Sequence, residues 1–197
     1  MVLSVSFASP PPSAAWLHRE ARSGFEVAYL QNVDEGHLIT GCTAAVEDGQ
    51  AWTVEYELHL DPGWVTRSAH VRSRTIAGTR MAQLKTDGEG HWSVDGQPAV
   101  HLDGCLDVDL ESSALTNALP VHRLCLEPGE RAQAPVAYVR AVSLDVVRLE
   151  QEYTRTNDCG HQQRYHYTAP VFDFACELVY DEAGLVLTYP GIAERAH

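Results

Sequence analysis

Polar and apolar residues alternate in short runs along most of this chain. Over residues 51–60, Trp52, Val54, Tyr56, Leu58 and Leu60 take one parity, and Thr53, Glu55, Glu57 and His59 take the other. A period of two sustained that long places the apolar set on one face of a strand and excludes an amphipathic helix. Over residues 24–31, Phe25, Val27 and Tyr29 alternate with Glu26 and Ala28, the pattern of a half-buried strand with its apolar side inward. Residues 37–47 read as the strand that follows. Residues 64–76 are extended but have no strongly apolar face: Arg67, Ala69, Val71 and Ser73 alternate with Ser68, His70, Arg72 and Arg74. Asp-Gly pairs begin at positions 48, 87, 95 and 103, and both residues of such a pair tolerate positive φ, as a tight hairpin requires. Further on, 136–143 and 144–156 read as two long strands, with 164–168, 172–180 and 185–189 after them.

Short strands at this spacing predict an all-β fold: one antiparallel, barrel-like roll of about a dozen or more strands, with one or two short helices at most. The domain spans residues 14–191. An extended, proline-rich link (residues 1–13) precedes it and a tail (residues 192–197) follows.

One stretch breaks the rhythm. In residues 104–126, GCLDVDLESSALTNALPVHRLCL, polar side chains crowd between apolar ones. Residues 106–110 alternate like a strand. Residues 111–119 predict one or two helical turns, with Ser112 or Ser113 as the N-cap. Pro120 is expected to stop that helix, with residues 121–126 extended again. Interleaved in this way, the stretch is partly buried and its polar groups need partners. Two carboxylates side by side repel, and arginine offers a fixed fork of donors. The stretch is therefore expected to form a plug or lip of the roll, held by Arg123 on a carboxylate.

The same stretch carries a family likeness. D-V-D-L at 107–110, T-N-x-L-P at 116–120 and H-R-L at 122–124 resemble the bacterial glycolipid-binding domain family, formerly a domain of unknown function. W-T-V-E-Y at 52–56, W-V-T-R at 64–67, D-G-E-G-H-W at 87–92, Q-E-Y-T at 151–154 and Y-P-G at 189–191 extend the resemblance over nearly all of the chain after about residue 16. The order and spacing of these motifs are more specific than any one of them. The resemblance implies a single all-β barrel- or roll-like domain with a large apolar interior, similar in shape to lipid carriers.

Three functions fit the residues. In the first, a lipid or glycolipid occupies an apolar cavity without being chemically changed. Such cavities are mostly apolar, with a few polar groups that fix a head group. Arg67, Arg72, Arg74, Asp107, Asp109, Asn117 and Arg123 are the candidates for the head-group end. Trp52, Tyr56, Trp64, Trp92, Tyr153, Tyr165 and Tyr167 are the candidates for the wall, since their rings offer a face and a polar handle. Each aromatic has an equally ordinary reading as core or surface. In the second, Asp107 and Asp109 hydrolyse a glycoconjugate. At i and i+2 of a strand they share a face with Cβ atoms about 7 Å apart, within the roughly 6.5–9.5 Å of an inverting glycosidase. The simpler reading of that pair is structural, with hydrogen bonds from Arg123, Thr116, Asn117 or backbone amides. In the third, the roll is a structural or interaction domain with a filled core.

Composition narrows the setting. At 197 residues the chain can bury roughly 70% of its unfolded surface without staples. Its five cysteines, an odd number with no C-x-x-C spacing, argue for free thiols in the cytoplasm and against a disulfide framework. Cys159-Gly160-His161 lacks a second close pair, so no metal or other cofactor is expected. The net charge of −13 argues against nucleic acid and against anionic membrane surfaces as partners. The N-terminal residues have no basic region before Arg19, so no secretion signal is expected. No apolar run approaches the roughly 18 residues of a membrane-spanning helix, so no integral membrane protein is expected. There is no G-x-S-x-G, P-loop, G-x-G-x-x-G or H-E-x-x-H motif, and ten histidines are scattered without helical pairing.

Overall fold

The computed structural model describes residues 7–196. The first half of the chain is a meander: β1 (Ser13–His18), β2 (Ser23–Val33), β3 (Gly36–Glu47), β4 (Gln50–Leu60), β5 (Thr66–Thr75), β6 (Gly78–Thr86), β7 (Trp92–Val94) and β8 (Gln97–Pro98). A central group follows: β9 (Asp107–Leu110), the helix α1 (Ala118–Leu124), β10 (Arg131–Gln133), β11 (Val136–Val139) and β12 (Val146–Leu149). The chain closes with β13 (Glu152–Arg155), β14 (Gln163–Ala169), β15 (Phe174–Tyr180), β16 (Val186–Tyr189) and β17 (Ala193–Arg195).

Fourteen of these strands make one antiparallel sheet in the order β10-β13-β14-β15-β16-β17-β1-β2-β3-β4-β5-β6-β7-β8. The remaining three make a second sheet, β12-β11-β9, in which β9 and β11 run parallel. The result is an all-β, single-domain roll whose large sheet stays open between β10 and β8, as the alternation predicts.

The small sheet separates two apolar cores. Its residues Val108, Leu110, Ala137 and Val139 pack with β1–β6, around Trp16, Ile39, Trp52 and Leu58. Val136, Tyr138 and Leu149, of the opposite parity, pack with Tyr153, Tyr165, Tyr167 and Tyr180 from β13–β15. Strand side chains alternate between faces, so one short strand serves both cores. The expected plug is thus a partition. The interior that a barrel would leave empty is occupied by residues 104–126, whose side chains from Asp107 to His122 are nearly all buried.

Several local expectations are met. On β4 the five predicted residues face inward, each under a tenth exposed. The Asp48-Gly49 turn has φ of 50° and 76°, the doubly left-handed geometry that a two-residue hairpin needs.

Others are corrected. On β2 the buried face is Glu26 and Ala28, while Phe25 and Tyr29 are exposed. The inner surface of β2 and β3 carries small residues, Ala28, Gly41 and Ala45. A Cβ on Gly41 would collide with the Tyr56 ring. That surface leaves room for the partition, so the bulky parity must point outward. Pro120 does not end the helix; it lies in the first turn of α1, which continues a 3-10 turn at Leu115–Asn117. In a first turn the missing N–H has no partner to lose. The helix ends instead at Cys125, which adopts a left-handed conformation (φ 45°). The second long strand expected at 144–156 is two. Leu144 has φ 60°, and the chain leaves the small sheet after β12 to join the large one at β13. Part of the expected tail is structural: β17 pairs with both β16 and β1, and Ala193 is fully buried. Three residues are too few to show a period of two. The link begins its pairing at Ser13; residues 1–6 of it lie outside the described residues.

Candidate functional site

The partition is held by polar contacts, and one cleft opens where they meet the tyrosine-rich core. Glu26, fully buried on β2, is the anchor on the first side. It accepts hydrogen bonds from the Tyr56 hydroxyl (2.7 Å), the Ala114 amide (2.7 Å) and the Ser113 hydroxyl. Burial pushes its pKa up, against those donors. Beside it, Thr43 donates to the Ser112 carbonyl (2.7 Å). On the same segment the Ser113 hydroxyl accepts a long hydrogen bond from the Thr116 amide (3.4 Å), but the N-cap position of the 3-10 turn is Ala114 rather than Ser112 or Ser113, because the Ser113 hydroxyl is turned to Glu26.

Arg123 reaches back from α1 to Asp107, Nη2 2.6 Å from Oδ2. Asp107 has no exposed surface. Burial raises its pKa and the guanidinium opposes that rise. Its neighbour two residues on, Asp109, is held differently. One carboxylate oxygen accepts from Thr116 Oγ1 (2.8 Å) and the other from Gln151 Nε2 (2.7 Å). Among the described residues no cation pairs with it, and burial raises its pKa to about 6.

Asp109 lies at the wall of a cleft of about 270 Å³. Asn117 and Ser113 line the cleft from the partition; Tyr167, Phe174 and Tyr189 line it from the large sheet. These three rings sit edge to face, with centroids 6.0–6.3 Å apart. Tyr138 and Phe172 form the other aromatic edge, 5.7 Å apart. Arg140 lies over both, 5.2 and 5.4 Å from their centroids, and bonds Glu111 Oε1 at 3.0 Å. Arg22 closes the far end, donating to the Glu111 carbonyl (2.9 Å) with its guanidinium 5.3 Å from the Trp52 ring. The cleft therefore combines two arginines, two carboxylates, an amide and five aromatic rings.

Of the residues singled out in the sequence, Asp109, Asn117 and Tyr167 line this cleft. Tyr153 lies just behind it, donating to Asn117 Oδ1 (3.1 Å). Asp107 and Arg123 form the buried pair that supports β9. Tyr165 is core, edge to face with Tyr153 and Tyr180. Trp64 is stacked on His122, 3.6 Å between centroids and 5° from parallel, away from the cleft. Arg67, Arg72 and Arg74 are exposed on the outer side of β5, Arg72 at 3.5 Å from Glu55. Trp52, Tyr56 and Trp92 are buried in the first core. Arg22, Glu111, Tyr138, Arg140, Phe172, Phe174 and Tyr189 also line the cleft and were not among the residues singled out in the sequence. Glu111 was within reach, since it continues the parity of Asp107 and Asp109. Tyr189 sits in the Y-P-G motif, and the others arrive from segments without local signal.

Asp107 and Asp109 do not face the cleft as a free carboxylate pair, because Asp107 is spent on Arg123. The large apolar interior implied by resemblance is not found among the described residues: the partition fills it, and the cleft lies where the partition meets the second core. Among the described residues no cluster of three or more His, Cys, Asp or Glu could hold a metal ion, and no helix is long and apolar enough to cross a membrane.

Residues 13–195 match a family described as "Putative glycolipid-binding". The chain belongs to that family. A crystal structure of a DUF1089 family protein from Pseudomonas aeruginosa is similar in fold, with a TM-score of 0.77 and 32% identity over 87% of this chain and 92% of that one. No curated protein matches the chain. Membership puts the barrel-like roll and its partition in a family named for binding rather than for a reaction.

Proposed function

We propose that this family member binds the polar head of a glycolipid in the cleft between the partition and β14–β16, without chemical turnover and in the cytoplasm. The observation that carries the reading is the setting of Asp109: a buried carboxylate on the cleft wall, unpaired by any cation, opposite the Tyr167–Phe174–Tyr189 rings. Sugars present hydroxyls that donate to a carboxylate and apolar ring faces that lie on aromatic side chains, so this pairing suits a hexose. Charge supports a neutral head. Glu111 balances Arg140, and Asp109 balances Arg22 in sign, so an added phosphate would meet as much repulsion as attraction. Size supports a head alone. Pockets that bury a drug-sized ligand run roughly 300–1,000 Å³, above the cleft's volume of about 270 Å³.

Native mass spectrometry of protein from its own host, read for co-purified lipid, tests the reading, together with titration of a soluble alkyl glucoside. Asp109→Asn and Tyr189→Ala are expected to weaken glucoside binding by roughly tenfold or more, the equivalent of one lost good contact. Wild-type affinity in both variants would rule the cleft out.

A further inference from the structure

The mouth of the cleft carries apolar residues that the fold does not cover. Val171 and Phe172, on the 3-10 turn between β14 and β15, are 73% and 43% exposed. Phe172 lines the cleft and packs on Tyr138. Val147 is 42% exposed and stands opposite Tyr138 in the β11–β12 register, so the two side chains share a face of the small sheet. Tyr138 in turn stands opposite Asp109. One row of side chains thus runs from the buried carboxylate, through the aromatic edge, to an exposed apolar lip.

We propose that this lip, Val147, Val171 and Phe172, docks on the surface of a neutral lipid bilayer, so that the protein takes a glycolipid head while its acyl chains stay in the membrane. The proposal rests on the head-group reading of the cleft. If the cleft accepts only the head, the chains must remain in an apolar phase outside it, and the lip is the apolar surface continuous with the cleft. Isolated exposed apolar residues are ordinary, but here Phe172 lines the cleft, Val171 is its neighbour in the turn and Val147 stands opposite the cleft residue Tyr138, so all three belong to one rim. Side chains of this kind enter the boundary between head groups and acyl chains. Charge selects the bilayer. A protein of net charge −13 is repelled by anionic lipid, and the cations beside the lip, Arg140 over Phe172 and Arg148 next to Val147, already pair with Glu111 and Glu150.

Flotation with phosphatidylcholine vesicles, with and without monoglucosyldiacylglycerol, tests the docking. Titration of octyl glucoside below its micelle concentration reports the head site separately. Val147→Asp and Val171→Asp change exposed residues that do not line the cleft, and thermal melts check that both fold. Wild type is expected to float with glucolipid vesicles. Each variant is expected to lose vesicle binding by about tenfold or more and to keep wild-type affinity for octyl glucoside. Wild type that binds octyl glucoside but ignores vesicles, or variants that float like wild type, would overturn the docking and leave the head site standing. Wild type that binds neither overturns both.

Discussion

The Arg123 guanidinium straddles the Asp107 carboxylate, with Nε 3.1 Å from each oxygen and Nη2 2.6 Å from Oδ2. The pair ties the last turn of α1 to the first residue of β9, so the chain between them closes into a loop across the partition. With the acid fully buried and the arginine side chain 14% exposed, removing one partner strands the other. Arg123→Met or Asp107→Asn is expected to destabilise the fold by about 3–5 kcal/mol, read from urea denaturation midpoints. Melting with wild type would mean the pair is dispensable to the partition.

Asp109 sets a pH dependence of the opposite sense to most carboxylates. Its pKa is raised by burial from 3.8 to about 6 in the folded state, so the fold favours the protonated form. Below about pH 4 that preference contributes fully; between there and about pH 6 the unfolded chain releases the proton first and stability falls as pH rises. The shift corresponds to a loss on the order of 2–3 kcal/mol. His18 and His122, lowered by burial to about 4 and about 3, work the other way, because their neutral forms are favoured and stability rises with pH. The comparison with Asp109→Asn isolates the aspartate. The variant is expected to gain on wild type as pH goes from 4 to 7, and parallel stability curves would contradict the assignment.

Glu26 is the test of the other anchor. Glu26→Ala leaves the Tyr56 hydroxyl, the Ser113 hydroxyl and the Ala114 amide without their acceptor. At about 1–3 kcal/mol for each buried unsatisfied group, a loss of about 3 kcal/mol or more is expected in denaturant titrations. Glu26→Gln keeps an acceptor and the volume, and should lose less. Equal losses in the two variants would assign the effect to charge rather than to the hydrogen bonds.

All five cysteines are free, and they differ in surroundings. Cys42, Cys125 and Cys159 are exposed, while Cys105 is buried. Burial pushes the Cys105 thiol up to about 11 and the Cys176 thiol up to about 12. Because the thiolate is the nucleophile, alkylation of native protein should label the three exposed positions first, and Cys105 and Cys176 only on unfolding. Mass spectrometry that finds Cys105 labelled as fast as Cys125 would contradict this packing.

Legibility in the sequence followed the range of the interactions. The face of β4 and the hairpins at Asp48-Gly49 and Asp95-Gly96 depend on neighbours within a few residues and are plain in the sequence, whereas Asp87-Gly88 opens the longer loop 87–91 and Asp103-Gly104 follows a 3-10 turn, neither aspartate having positive φ. The Arg123–Asp107 pair was foreseeable because sixteen residues and one turn separate them. On β2 the period was right and the face was inverted. Alternation cannot tell which side is inside when the interior receives a polar partition from eighty-odd residues away. The cleft was half visible for the same reason. Asp109 and Asn117 belong to the conspicuous stretch, whereas Arg22, Arg140 and Tyr189 come from segments remote from it in the chain. Arg67 and Arg72 looked like head-group residues by type, but β5 turns them to solvent.

The pairing of β1 has a consequence for how the protein is made. β1 is hydrogen-bonded to β2 on one edge and to β17 on the other. During synthesis β1 to β8 leave the ribosome as a meander able to pair locally. Their inner face has no cover until the partition follows, and the free edge of β1 has no partner until the last strand emerges. Contacts so distant in the chain form slowly, and an open strand edge next to bare apolar surface invites association with other chains. Until β17 arrives, a nascent copy carries that open edge and is exposed to misassembly.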